Sequence, residues 1–143
     1  MKGFADMLDE TDREIIKLLE DNSRMQLQEI GNRVHMTGQA VRNRIDRLEK
    51  AGVIEGYTVK TNTAKLGKEI SAFVTVYMKN NNHAALHKFI RDHTGIREAH
   101  RIGGEGCYLL KVAVASHQEL TELLDGILEY ANYKVNLSIS RLK

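Results

Sequence analysis

Between Thr37 and Leu48 an apolar row, Val41, Ile45 and Leu48, is interleaved with the hydrogen-bonding side chains Gln39, Arg42, Asn43 and Asp46. The apolar residues recur at i, i+4 and i+7, the spacing of one buried helix face. At about 100° per residue the polar set then points away from the core, with Arg47 flanking it. Arginine can read guanine through two hydrogen bonds, and glutamine or asparagine can read adenine the same way. Thr37 is placed to cap the helix and to bond a phosphate, which the helix dipole also attracts. Gly38 and Ala40 keep the start of the helix slim, so that its backbone can approach DNA. Arg44 lies nearer the buried edge and is expected to brace the fold. The same row of polar residues also describes an ordinary solvated helix face, and spacing alone does not separate the two.

Three other groups could carry chemistry. Gly103-Gly104-Glu105-Gly106 has the composition of a phosphate-cradling loop, but such a loop opens a helix after a strand, and here the apolar strand Tyr108–Ala115 follows. A hairpin turn with glycine at positive φ is the better reading. His83 and His87 share a helix face at i and i+4, with His93 nearby; without a third ligand they read as a polar face, and no metal or cofactor is expected. The one cysteine, Cys107, precedes an apolar strand and reads as a small buried hydrophobe. No nucleophile–base pair or set of paired carboxylates is evident, so the chain is expected to bind rather than catalyse.

The elements that position these residues follow from periodicity. Asp9 is a plausible N-cap for a helix through Ile15, Ile16, Leu18 and Leu19. Leu27, Ile30 and Val34 mark a second helix with a poorly signalled start at Gln26. His35-Met36 is a tight connection to the third helix, which Ala51-Gly52 ends. Val53–Val59 suggests a small hairpin, completing a winged helix-turn-helix over residues 1–60. Residues 61–68 are polar and aperiodic and read as a linker; Lys60, Lys65 and Lys68, in or after the wing, could add phosphate contacts. Over residues 69–143 the period shifts to 2. Ile70, Ala72, Val74, Val76 and Met78 alternate with Phe73, Thr75 and Tyr77. Then come a helix at Leu86, Phe89 and Ile90, strands at Ile96–Ile102 and Tyr108–Ala115, a helix capped by Ser116, and a last strand from Tyr133 to Ile139. The order β-α-β-β-α-β is a ferredoxin-like plan, and the whole is of the α+β class. Two helices cover one face of four strands, so Phe73 and Tyr77 on the other face imply a second subunit.

The 143 residues carry 21 basic and 19 acidic groups, a formal charge of +2, which argues against a purely electrostatic nucleic-acid binder. The charge is unevenly spread. Residues 1–23 sum to −4, residues 24–68 to +5 and residues 69–143 to +1. An anionic partner would dock on the middle stretch. No apolar run approaches the roughly 20 residues that cross a bilayer. Met1–Asp6 has no apolar signal region, and a single cysteine excludes an internal disulfide. A cytoplasmic location is expected.

The segment from Ile30 to Ile54, IGNRVHMTGQAVRNRIDRLEKAGVI, strongly resembles the helix-turn-helix of Lrp/AsnC regulators, the leucine-responsive or feast/famine transcription factors. Leu8–Ile16 resembles that family's opening, and Ile102–Val112 sits where its ligand-domain motif falls. The resemblance runs in order over nearly the whole chain. It implies a regulator of double-stranded DNA, with Thr37, Gly38, Gln39, Arg42, Asn43 and Arg47 at the interface. It also implies a homodimer, often assembled further, commonly to octamers. An amino-acid effector would sit near Gly104, Glu105, Gly106 and Cys107. Many relatives carry an acid where this chain has Cys107; Glu105 is then the carboxylate left to pair with an ammonium group, and an effector could be absent or different. An architectural DNA organiser without an effector is the alternative.

Overall fold

The computed structural model describes residues 7–143. The N-terminal stretch Met1–Asp6, including its lack of an apolar signal region, lies outside the described residues. The chain divides into two compact units, Met1–Lys60 and Thr61–Lys143.

The first unit holds helices α1 (Glu10–Asp21), α2 (Leu27–Val34) and α3 (Gly38–Lys50). Asp9 caps α1 with a reciprocal pair of bonds. Its side chain accepts from the Asp12 N–H at 2.8 Å, and the Asp12 side chain accepts from the Asp9 N–H at 3.2 Å. Gln26 makes no side-chain cap at α2, as its type suggests, whereas Thr37 caps α3 by accepting from the Ala40 N–H. Ile15, Leu18, Ile30, Val41 and Ile45 form the shared core. At the turn between α2 and α3 the helices come close. A Cβ on Gly31 would lie 2.4 Å from the Met36 carbonyl oxygen, so only glycine fits. His35, in the same turn, has φ 55 and is the one described non-glycine residue at positive φ.

The hairpin expected at Val53–Val59 does not form. The N–H groups of Val53 and Ile54 donate to the Leu48 carbonyl, closing the end of α3 instead of opening a ladder. Residues 55–62 then run without strand pairing, and Val59 is 79% exposed. Ile54 packs on the core of the unit, but no partner strand pairs the backbone that follows it. The wing is a segment without regular secondary structure, tied back to α3 by the Tyr57 hydroxyl donating to Glu49 at 2.7 Å. The stretch read as a shapeless linker contains a 3-10 turn at Ala64–Leu66, ended by Gly67 at φ 77.

The second unit is a four-stranded antiparallel sheet in the order β2-β3-β1-β4, built from β1 (Ile70–Met78), β2 (Ile96–Arg101), β3 (Tyr108–Val114) and β4 (Ala131–Leu137). The last strand ends at Leu137, short of Ile139, which is 99% exposed. Helices α4 (His83–Asp92) and α5 (His117–Leu128) supply Leu86, Leu120, Leu123, Leu124 and Ile127 to one core with Ala72, Val74, Val76, Leu110 and Val112. Ser116 caps α5 by accepting from the Glu119 N–H. Opposite that core Phe73 faces Lys111 and Asn136, and Thr75 faces Leu109 and Lys134, so this second sheet face mixes apolar and charged side chains.

These contacts give opposite expectations for two neighbouring residues. Gly31→Ala should lower the unfolding free energy by about 1–3 kcal/mol through overpacking. His35→Gly should raise it by about 1 kcal/mol by relieving the left-handed backbone. Urea denaturation followed by circular dichroism checks both.

Candidate nucleic-acid interface

Helix α3 presents the face that its sequence implies. Val41, Ile45 and Leu48 are buried, and Gln39, Arg42, Asn43, Asp46 and Arg47 are exposed. Gln39 Nε2 donates to Asn43 Oδ1 at 3.0 Å, so the two amides hold each other one turn apart on the outer surface. Arg42 makes no ion pair with any described residue, and its guanidinium is available to an acceptor outside the chain. The Thr37 oxygen is used as an acceptor by the helix cap at 3.1 Å, which leaves the hydroxyl proton to donate. Gly38 is accounted for by packing: a Cβ there would stand 3.3 Å from Gln28 Oε1 and 3.4 Å from the Gln28 nitrogen. The glycine lets α2 and α3 close on each other as much as it slims the outer surface.

The other flank of α3 is engaged internally. Asp12 is fully buried, and Arg44 donates to it at 2.8 Å and to Asp9 at 2.6 Å. Arg47 also donates to Asp12, at 2.5 Å, while its side chain remains 54% exposed. Arg44 is therefore the brace its position implied. Arg47 is not brought into the row formed by Gln39, Arg42 and Asn43 but is held beside it by a carboxylate of α1. The hydrogen bond from Arg44 is the main reason the Asp9 carboxyl titrates below its ordinary range, helped by the Asp12 N–H. The same contacts hold the Arg44 pKa above its ordinary value. Sequence reasoning missed Asp12 as a partner of α3, although a charged residue on the inner side of an amphipathic helix was a signal available to it.

In the second unit the loop of residues 102–107 leans on β1. The Cys107 N–H donates to the Val76 carbonyl at 2.7 Å, and the Ile102 N–H donates to the Cys107 carbonyl at 3.0 Å. Gly104 and Gly106 have φ 100 and 91, and a Cβ on Gly106 would meet the Thr75 methyl at 2.5 Å. The loop is a turn between strands, as its context implied. Glu105 receives a hydrogen bond from the Tyr77 hydroxyl at 2.9 Å and lies 3.7 Å from Lys134 Nζ. Cys107 is half-buried and packs against the core cluster. His83 and His87 do converge, but on the Tyr108 hydroxyl, which is 2.6 Å from His83 Nδ1 and 2.8 Å from His87 Nε2. A phenol can donate to one ring nitrogen and accept from the N–H of the other, which satisfies all three groups. His93 Nδ1 accepts from the Gly95 N–H.

Two family models divide the chain between them. Residues 8–55 match a winged helix-turn-helix DNA-binding model, and residues 71–143 match the Lrp/AsnC ligand binding domain. The HTH-type transcriptional regulator LrpB of Bacillus subtilis is 45% identical over 95% of this chain and 91% of its own length. The chain belongs to the Lrp/AsnC family. It is a DNA-binding transcriptional regulator of that type. The structure of Bacillus subtilis LrpC superposes with a TM-score of 0.90 at 28% identity, covering 100% of this chain and 99% of that one. A Neisseria meningitidis transcriptional regulator, solved as a complex with L-Met, shares the fold with a TM-score of 0.87 at 22% identity over 95% of this chain and 92% of its own. No helix among the described residues is long and apolar enough to cross a membrane.

The Tyr77–Glu105 contact of this Lrp/AsnC chain has a spectroscopic consequence. Tyr77 is held protonated above the usual tyrosine range, chiefly because its hydroxyl donates to the Glu105 carboxylate. Glu105→Gln removes the negative charge, so Tyr77 should ionise at lower pH in the variant than in the wild type. A tyrosine titration followed by ultraviolet absorbance, with Tyr77→Phe to assign the step, measures the shift.

Proposed function

We propose that this regulator reads its operator with the outer face of α3, using Thr37, Gly38, Gln39, Arg42 and Asn43, and that it does so as a homodimer. The observation that carries the reading is the exposed row of Gln39, Arg42 and Asn43, with the Arg42 guanidinium unpaired among the described residues. Thr37 and the N-terminal amides of α3 would take a phosphate and fix register, while the amides and the guanidinium read base edges. Arg47 stands at the edge of this footprint. A dimer presents two such helices to two half-sites and sets their spacing. The site of action is the cytoplasm, and the role is binding, without catalysis.

Self-association would use the sheet face away from α4 and α5. Phe73 is 42% exposed there, and Tyr77 and Leu109 are half-buried beside it. Apolar groups on an uncovered face favour a second copy of the same face. Further assembly, such as an octamer, would multiply the DNA sites that one particle engages. An amino-acid effector would place its ammonium group at Glu105, in competition with Lys134, against the turn formed by Gly104, Gly106 and Cys107. Its effect would come from unequal affinity for two states of the assembly.

Fluorescence anisotropy with DNA from upstream of the protein's own coding region, against a scrambled duplex at two salt concentrations, tests the operator reading. A preference for the upstream DNA that survives added salt supports it. Equal loss of both complexes would support an architectural DNA organiser instead. Arg42→Ala should weaken binding to the upstream DNA by about 1–3 kcal/mol and leave the oligomer intact. Phe73→Asp should shift the sedimentation profile toward monomer at micromolar concentration; an unchanged profile would count against this face as the interface.

A further inference from the structure

Four charged groups meet where α1 crosses the flank of α3. Arg44 bonds both Asp9 and Asp12, and Arg47 bonds Asp12. Two carboxylates and two guanidiniums make the cluster neutral. Its centre is also dry, because the Asp12 side chain has no solvent exposure. Breaking such a pair leaves an uncompensated buried charge, so the two arginines are not readily lent to another anion. The helix has Arg42, Arg44, Arg47 and Lys50 as its basic residues, and half of that positive charge is therefore matched from within. What remains unpaired among the described residues, Arg42 and Lys50, lies on the outer side of the helix with Gln39 and Asn43.

Phosphate attraction is blind to sequence, and each phosphate neutralised by a protein cation adds to affinity for every duplex alike. A regulator gains discrimination when base-reading groups supply a larger share of the total. Arg47 is 54% exposed and next to the reading face, a position from which a free guanidinium would reach for the backbone of any DNA. The carboxylate of Asp12 holds it away from that role.

We infer that Asp12, assisted by Asp9, is a specificity-determining residue of this regulator: it neutralises Arg44 and Arg47 and so withholds them from sequence-independent phosphate binding. The inference rests on the operator reading above. Asp12 acts through the arginines and touches no DNA, so it is a positioning residue.

The test is the salt dependence of binding to upstream and scrambled duplexes for the wild type, Asp12→Asn, Asp9→Asn and Glu10→Gln. Asparagine caps helices as well as aspartate does, so Asp9→Asn keeps the cap and removes one charge from the cluster. Glu10 is an exposed acid in the same turn, outside the cluster of Asp9, Asp12, Arg44 and Arg47, and its variant controls for net charge alone. Asp12→Asn should steepen the plot of log K against log salt by about 0.9 per freed cation, and Asp9→Asn, which leaves Asp12 on both arginines, by less. They should also tighten the scrambled complex about 3- to 10-fold at low salt and narrow the gap to the upstream DNA. Glu10→Gln should leave the slope where it is. Unchanged slopes in folded Asp variants would overturn the inference, and so would an equal steepening by all three variants. If Asp12→Asn does not fold, Arg47→Gln decides: a guanidinium already withheld by Asp12 leaves the slope where it is when removed, and a slope made shallower by about 0.9 would overturn the inference. A wild type with no preference for the upstream DNA would defeat the operator reading itself, and that result is visible before any variant is made.

Discussion

The buried carboxylate of Asp12 is the constraint on which the DNA-binding unit depends. Apolar contacts between helices tolerate small rotations better than ionic ones, because the hydrophobic term that joins Ile15 and Leu18 to Val41 and Ile45 is non-directional. A carboxylate without water has no such freedom. It must keep its guanidinium partners, and losing one would cost about 3–5 kcal/mol. Arg44 and Arg47 are three residues apart on α3 and reach the same carboxylate, so they fix the rotation of that helix about its own axis. Once that rotation is set, Gln39, Arg42 and Asn43 have no choice but to face outward. The cap of α1 belongs to the same device, since Asp9 closes both the helix start and the ion cluster.

The second unit is governed by a different imbalance. Two helices can bury one face of a four-stranded sheet, and the core that includes Val74 and Ile127 is buried between them. The other face keeps Phe73 beside Lys111 and Leu109 beside Thr75, a mixture suited neither to a dry core nor to open water. Gly106 draws the loop at residues 102–107 down onto this same face, because any side chain there would strike Thr75. Glu105 is thereby brought to Tyr77 and Lys134. A cover over the open face and a ligand at Glu105 would consequently meet on one surface, which is the physical condition for an effector to alter assembly.

Much of this arrangement is legible in the sequence, for reasons that differ by element. The helices of the first unit announce themselves through caps at Asp9 and Thr37 and through apolar spacing, both local signals. The sheet is read from strict alternation in β1 and from the change of period after Gly67. The wing differs from the expected hairpin because Val53, Ile54, Tyr57 and Val59 are strand-favouring residue types, yet a ladder needs a partner that the local sequence does not contain. The ion cluster was half-read: Arg44 sat at the buried edge of its helix, but Asp12 lies 32 residues away and no local pattern joins them. The histidines illustrate the same limit, since only the fold brings Tyr108 between His83 and His87. Pairing across the chain is what periodicity leaves out.

A formal charge of +2 sets a last requirement on the whole chain. With Arg44 and Arg47 matched internally and Arg33 paired to Glu29, few cations remain near α3 to hold a polyanion. One copy of that helix would bind a duplex weakly, because the contacts of a single reading face must also offset the lost freedom of association. Linking two copies makes the second contact intramolecular, which can raise overall affinity by roughly 10²–10⁴ without any new contact. The gain appears only where two half-sites match the spacing of the linked helices. On the proposed dimer, a chain so sparing of free charge would draw its affinity from assembly, and the apolar residues left open on the sheet would be the counterpart of the guanidiniums matched on the helix.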